Sequence, residues 1–595
     1  MIARLPIATL TATLFLCDGP AARPSPAPPR APADAASAPA DPLRLASLVS
    51  RDAETFVWVA DRAAFLRRMR ATPFWAALAD LGDDDAIDDL ESLATELSLV
   101  FPPGVFSRWA ATLAHGSGDM ALAVDGFTIA SGKSEPNILL LADARGMEKL
   151  VPALVLLAQD PDEGEDALDD LELPFEIDED ARATVTTFRG VQIVQATIED
   201  FAPVAFATAN GIIFASRDQR LVERAIDRAF DATIGSLRDS ARFRVVWDEL
   251  KPTPGSLVWY SNLRKLRQSD MARAAAPGSL RAEFADVMRP FDGAGFTVRG
   301  RGESVDLRVF LERGAGRQQD PNPLFRSNER FRSLALFPAE STCEFSARVT
   351  GEQAADAIGA IAEFMGGRGV EAQLDLITRS LASSGPMPSL LEHLDGEMTV
   401  AQTKAASPGE SVPRVAFAVE CLDAAAVDAW FQEAVRRAGP VPVRPTRVAG
   451  ANGYEILFPN PEIPLRPVFV VKDGFLLGAS QGFVMRDLLR SNGTPAASLA
   501  ERHDLLAAFD RVDHDVREPA TALAWLDGAR FTSSALTWAS CAIRGAPSRA
   551  GREALERAQA ILETLMDPDV EETLKGVAVR AELRDDGVLI EAAGP

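Results

Sequence analysis

Apolar and polar positions along the chain fall into short blocks of two kinds. Some alternate with a period of two or run apolar through four to six positions, as strands do, and others repeat every three to four positions, as amphipathic helices do. The first regular block, Phe56-Val57-Trp58-Val59-Ala60-Asp61, reads as a strand and runs into a helical pattern through Phe65, Leu66 and Met69. Gly118-Asp119-Met120 opens a second strand, and Ile138 to Asp143 is a third, followed by an Ala-containing helix. Hairpins come next, one around Phe188-Arg189-Gly190-Val191 and one from Pro203 to Ser216 that turns at Asn210-Gly211, a dipeptide suited to two positive φ values. Ser236 and Asp239 are spaced as a capping box ahead of the helical series Phe243, Trp247 and Leu250, and the strand Leu257 to Asn262 and a strand pair from Gly295 to Leu311 complete the set.

The same series then recurs. Ser236 to Leu250 matches Ser498 to Val512 over fifteen residues without a gap at an offset of 262, and the strands that follow, Leu257 to Asn262 and Leu523 to Gly528, match at an offset of 266. Cys343 to Ala347 answers the strand at Phe56, with Cys343 set against Phe56, and Gly396-Glu397-Met398 answers Gly118-Asp119-Met120. Val415 to Glu420, Ala451-Asn452-Gly453-Tyr454, Pro467 to Ser480 with its turn at Asp473-Gly474, and Gly576 to Ala592 with its turn at Asp585-Asp586-Gly587 follow in the same order. The expected fold is therefore α+β: two tandem duplicated modules, each an antiparallel sheet with amphipathic helices packed on one face. Module 1 takes residues 43–313 and module 2 residues 329–595, joined by the Gly/Pro/polar linker 314–328. Trp58, Trp259 and Trp525 recur at matching strand positions, which assigns them to core packing.

The Ser236 to Leu266, Ser498 to Phe531 and Thr55 to Leu78 blocks resemble bacterial envelope proteins of a family whose domain has no assigned function. That resemblance implies a fold type and an address outside the cytoplasm, and it carries no catalytic residues. The start of the chain agrees with such an address. Met1 to Arg4 and the apolar run Leu5 to Leu16 have the lengths of a secretion leader, too short to span a bilayer. Cys17 is a candidate for lipidation, giving a leader of 1–16, although Leu16 occupies the place where a lipobox takes a small residue. The alternative is a leader of 1–21 cleaved after Gly19-Pro20-Ala21, which removes Cys17. Residues 22–42 form a Pro/Ala-rich tether, and membrane contact is expected only through an N-terminal lipid.

Composition narrows the function classes further. The 595 residues carry 61 basic and 86 acidic side chains, a net charge of −25 that disfavours a nucleic-acid face. Seven lysines against 54 arginines look like the codon bias of a high-GC genome. Four His, four Cys and two Tyr leave few of the usual nucleophiles, metal ligands and general acids.

The sites that invite chemistry each fail a requirement. Ser131-Gly132-Lys133-Ser134 resembles the end of a phosphate loop, but Phe127 stands where the first Gly belongs and a strand follows instead of a helix. His115 to Ser117 lacks the Gly two before the Ser of a nucleophile elbow. From Asp160 to Asp180 twelve of twenty-one residues are acidic, with no EF-hand spacing, and a self-repelling insertion is expected. His503, Asp510 and His514 are the best metal-ligand set, standing on one face if the helix runs so far, yet His503 matches Ala241 and the helix is expected to stop near Val512, leaving both rings apart and solvated. Cys343, Cys421 and Cys541 allow at most one disulfide, and buried free thiols are expected. No catalytic residue, metal or cofactor is assigned. The expected function is an exported, non-catalytic envelope protein that binds or scaffolds an unidentified partner; the alternative is a periplasmic hydrolase or metal-dependent enzyme with a site between the modules.

Overall fold

In Phe56-Val57-Trp58-Val59 every position is apolar, where a strand with one wet face would alternate, and this run forms the centre of a sheet covered on both sides. The computed structural model describes residues 43–71, 118–130, 133–160, 163–164, 167, 183–196, 203–268, 288–302, 304–314, 326–366, 373, 389–404, 412–437, 443–458, 465–491, 498–527 and 576–594. The leader, Cys17, the tether, His115 to Ser117, Cys541 and most of the acidic segment and of the linker lie outside these. The chain divides into two compact units, one reaching Asp320 and taking in Arg584–Leu589, the other comprising Pro321–Leu583 with Ile590–Pro595.

The N-terminal unit contains β1 (Thr55–Val59), α1 (Arg62–Arg70), β2 (Met120–Ala130), β3 (Lys133–Asp143), α2 (Leu150–Gln159), β4 (Ala183–Phe188), β5 (Val191–Ala196), β6 (Val204–Ala209) and β7 (Ile212–Ser216). It continues with α3 (Gln219–Phe230), α4 (Ala241–Leu250), β8 (Ser256–Ser261), β9 (Gly293–Arg301) and β10 (Ser304–Glu312). All described pairings are antiparallel, in the order β10-β9-β8-β1-β2-β3-β7-β6-β5-β4. β2 and β3 pair out to Ala130 opposite Lys133, so Lys133 and Ser134 lie in a strand.

Helices cover both faces of this sheet, which corrects the expectation of a single helical face. Phe56, Trp58, Ala121, Leu141 and Phe214 pack against α3 and α4. The alternate residues Val57, Leu122 and Val298 pack against Phe65 and Met69 of α1, and Leu140, Ala142 and Ile213 against α2. The centre of the first face is aromatic: Phe243 meets Phe56 and Tyr260 edge-on at 5.7 and 5.1 Å, and Trp247 lies 5.1 Å from Trp58.

The C-terminal unit contains β11 (Cys343–Thr350), α5 (Gly351–Gly366), β12 (Leu394–Gln402), β13 (Val415–Cys421), α6 (Ala424–Arg437), β14 (Val443–Val448), β15 (Ala451–Ile456) and β16 (Val468–Lys472). It continues with β17 (Phe475–Ala479), α7 (Gly482–Ser491), α8 (His503–Asp510), β18 (Ala522–Leu526) and β19 (Val577–Arg584), and the last strand, β20 (Gly587–Gly594), is divided after Leu589 between the two units. The order is β19-β18-β11-β12-β13-β17-β16-β15-β14, antiparallel throughout, with β20 the hairpin return of β19. Here too both faces are covered. Ala416, Ala418, Val470, Leu477 and Trp525 pack with α7 and α8 on one. On the other, Phe431 of α6 stacks on Tyr454 and Phe469 at 4.9 and 5.4 Å.

Three local expectations shift. Ser236, in a capping box with Asp239, and Ser498 each open a single 3-10 turn, Leu237–Asp239 and Leu499–Glu501, and the α-helices start two residues further on, at Ala241 behind Ser240 and at His503 behind Arg502. The hairpin expected at Asn452-Gly453 turns instead at Ala449-Gly450, with φ of 49° and 87° like the 52° and 70° of Asn210-Gly211. Gly453 lies within β15, where a Cβ would stand 2.8 Å from Phe469 O. Finally, Trp259 and Trp525 occupy different kinds of face. Trp259 lies half-buried away from α4 and stacks on Phe296 at 5.2 Å, whereas Trp525 is fully buried against α8. Aligning them slips a strand by one residue, and one residue reverses the face of every side chain.

Candidate functional site

Each unit collects its buried charge where the start of its second strand meets the end of its third. In the N-terminal unit Asp61, at φ 49°, caps α1 by accepting from Ala64 N at 3.0 Å, while its own N–H donates to Asp119 Oδ1 at 3.1 Å. Arg62 is buried, and its Nε donates to Gly118 O at 3.2 Å; burial lowers its guanidinium pKa, against the charges of Asp143 and Asp119. Arg145 grips Asp143 through two bonds of 3.0 Å. Burial works to raise the Asp143 carboxyl, but the Arg145 bonds and charge outweigh it and hold it below the ordinary value. Asp119, more deeply placed, is raised by burial against the bond from Asp61 N–H.

In the C-terminal unit the corner is Gly396, Glu397 and Glu420. Arg348 Nη1 donates to Glu420 Oε2 at 3.1 Å, Arg332 holds the other Glu420 oxygen, and Glu397 N–H donates to Glu420 Oε2 at 3.1 Å. Gly396, at φ 113°, lies so close that a Cβ would stand 2.5 Å from Glu420 Oε2. A Gly396→Ala variant should therefore lose about 1–3 kcal/mol in urea unfolding, and more than Gly450→Ala, whose φ of 87° is equally left-handed but whose Cβ would meet nothing within 4 Å. Equal losses would show that the close approach to Glu420 is without consequence.

From this corner a line of hydrogen-bonded side chains runs into the core. Glu397 accepts at Oε2 from Arg332 N at 2.9 Å and at Oε1 from Ser333 N at 2.6 Å and from the Ser333 hydroxyl. Ser333 Oγ lies 2.5 Å from Thr399 Oγ1, Thr399 Oγ1 lies 2.5 Å from Ser346 Oγ, and Ser346 bonds Glu344 Oε1. All five side chains are buried. Burial first, and the nearby Glu397 charge, push the Glu344 carboxyl up to about 8 despite the bond to Ser346. Glu344 Oε2 has no hydrogen-bond partner among the described residues. None of the five stood out in the sequence, because Glu344 and Ser346 alternate with Phe345 and Ala347 as a wet strand face would.

The expected metal ligands do not share an environment. α8 ends at Asp510 and the chain turns through Asp513 at φ 51°. His503 and Asp510 are exposed, and His514, expected to be solvated, is buried instead. The cause is local: Val512, His514 and Val516 are buried alternately with exposed Asp513, Asp515 and Arg517, so the His ring follows its valine neighbours inward. It packs edge-on at 6.1 Å from Phe509, and neither ring nitrogen has a hydrogen-bond partner among the described residues. No group of three or more potential metal ligands occurs among the described residues. Cys343 and Cys421 are free thiols, each pushed up to about 11 by burial, which suppresses the reactive thiolate.

No family model and no curated protein matches the chain. Among solved structures the chain is similar, over 47% of its own length and 81% of the other, to one titled "Structure of crystal form I of TP0453", with 9% identity and a TM-score of 0.20. A TM-score of that size carries no argument about fold or function.

Proposed function

We propose that the chain is an exported, non-catalytic envelope protein of two duplicated α+β modules that binds or scaffolds a partner, either anchored by a lipid on Cys17 or released by cleavage after residue 21. The observation that carries the duplication is the strand order. The first strand of each unit is flanked by the second and the eighth, the third by the seventh, and the edge is formed by the fourth, counting within each unit. Under this register Met120 opposite Val59 corresponds to Met398 opposite Ala347, and Phe56, Trp58 and Ala121 correspond to Glu344, Ser346 and Thr399. Cys343 then corresponds to Thr55 rather than to Phe56. A non-catalytic reading is supported by where polar groups converge: Glu344, Ser346, Thr399, Ser333 and Glu397 are all closed off below the surface, out of reach of a substrate.

The test combines address and partner. The full chain should fractionate with the cell envelope, and photo-crosslinkers at the exposed apolar residues Leu422 and Phe230 should give a discrete adduct there. Palmitate labelling of the parent that disappears in Cys17→Ala would select the lipid anchor, and no difference between the two would select cleavage after residue 21. A protein confined to the cytoplasm would sink the proposal, as would turnover of ester, peptide or phosphoester substrates that is abolished by chelation or by His503→Ala.

A further inference from the structure

We propose that Glu344 is a proton-binding site: an un-ionised carboxylic acid that donates into a line of three hydroxyls ending on the Glu397 carboxylate. A count of hydrogens carries the inference. The line has four links, Glu344 to Ser346, Ser346 to Thr399, Thr399 to Ser333 and Ser333 to Glu397. Each link needs one hydrogen, and three hydroxyls supply three. With both carboxyls ionised, Ser346 and Ser333 each spend their hydrogen on a carboxylate. Thr399 then has one hydrogen for two oxygens at 2.5 Å, so one of these contacts sets lone pair against lone pair inside the core. One added proton on a carboxyl group removes the conflict, because every hydroxyl can then point the same way along the line.

The end that takes the proton follows from the other partners. Glu397 accepts backbone N–H groups on both oxygens, from Arg332 and from Ser333, and these donors cannot be reversed; they favour its anion. Glu344 has one described partner, the Ser346 hydroxyl, which can accept as well as donate. Its other neighbours offer it no cation. The cross-strand residue is Trp525, whose ring is covered by Arg502, and Arg502 is itself paired with Asp527. The buried residues of α8 that pack on the cross-strand Trp525 are Leu505, Ala508 and Phe509, all apolar. On β12 the charged group is Glu397 and on β13 Glu420; the cation of β11, Arg348, is bound to Glu420, as is Arg332 from the turn before β11, and beside Glu344 in sequence stands the Cys343 thiol. Ionisation leaves a balanced path. Each hydroxyl can pass one hydrogen on as it takes one up, from Glu344 through Ser346, Thr399 and Ser333 to Glu397, and loss of that proton leaves Glu344 as the anion and the line again one hydrogen short.

The proton is read by infrared difference spectroscopy on the full chain at pH 7. The parent should show the carbonyl stretch of an un-ionised carboxylic acid, shifted in deuterium oxide, and the parent-minus-Glu344→Gln spectrum should contain it. A band that survives unchanged in folded Glu344→Gln would overturn the proposal. Should that variant fail to fold, carboxyl-13C NMR of glutamate-labelled Glu312→Gln protein decides without touching the line. One glutamate should remain at the acid shift at pH 7 and titrate only above it, and all glutamates at the carboxylate shift would overturn the proposal. Glu312 is removed in this background because burial raises its own carboxyl to about 7.

Discussion

Lowering the pH from 7 to 4 should cost the parent chain about 3 kcal/mol of stability that a His514→Phe variant does not lose. Burial, and then the Arg580 cation, hold the His514 pKa near 4 against an ordinary 6.5, with Asp515 opposing weakly. The folded state therefore keeps the ring neutral where the unfolded chain protonates it. The stabilisation is complete above the unfolded value of 6.5 and drains away as pH falls towards 4. Glu518 Oε2, at 3.7 Å from Nδ1, is the one carboxylate among the described residues within ion-pair distance of the ring, and it is largely in water. Raised carboxyls act in the opposite sense: Glu344 at about 8 and Glu312 at about 7 lose their contribution as pH rises from the unfolded carboxyl value. The difference between parent and variant is thus the quantity to follow, in urea unfolding at stepped pH. Parallel curves for the two proteins would mean that His514 is accessible to protons in the folded state.

The second large effect belongs to the N-terminal core. Phe243→Ala should destabilise its unit by about 3–5 kcal/mol, since the ring is fully buried and removes edge contacts with both Phe56 and Tyr260. Trp259→Ala deletes a larger side chain but should cost less, because that ring is half-buried and stacks on Phe296 alone among the described aromatic pairs. Urea unfolding of the two variants checks the ranking. A Trp259→Ala loss equal to or above that of Phe243→Ala would place the energetic centre of the unit on the α1 side of the sheet.

Much of the fold was legible in the sequence, because strands, I′ turns and helix starts leave strong local marks. Asn210-Gly211 and Asp473-Gly474 turn where the dipeptides require, and the strands at Phe56, Ile138, Leu257 and Leu523 lie within a few residues of their expected bounds. What was missed is what period-two patterns hide. The run Phe56 to Val59 and the run Leu139 to Ala142 are apolar on both faces, and that continuity was the sign of helices on two sides. The site was invisible for a related reason. Glu344 and Ser346 look like the outer face of a strand until pairing with Trp525 and Ala401 turns them inward. A repeat alignment shifted by one residue, setting Glu344 against Phe56, would have flagged a carboxyl at an aromatic core position. His514 was misplaced because it was read on the helical period of α8, whereas the segment after Asp510 follows the period-two alternation of Val512, His514 and Val516.

The central position of β1 also governs how the N-terminal unit comes into being. β1 is joined on one side by β8, and the Ser261 hydroxyl reaches Glu54 O across 207 residues of chain. Closing so long a loop costs entropy before any contact repays it, so the sheet cannot be completed from local pieces. During synthesis β1 emerges early and waits, with two apolar faces uncovered, until nearly the whole unit has left the ribosome. The unit is thus slow to assemble by its topology, and its first strand is fully paired only once β8 has joined it.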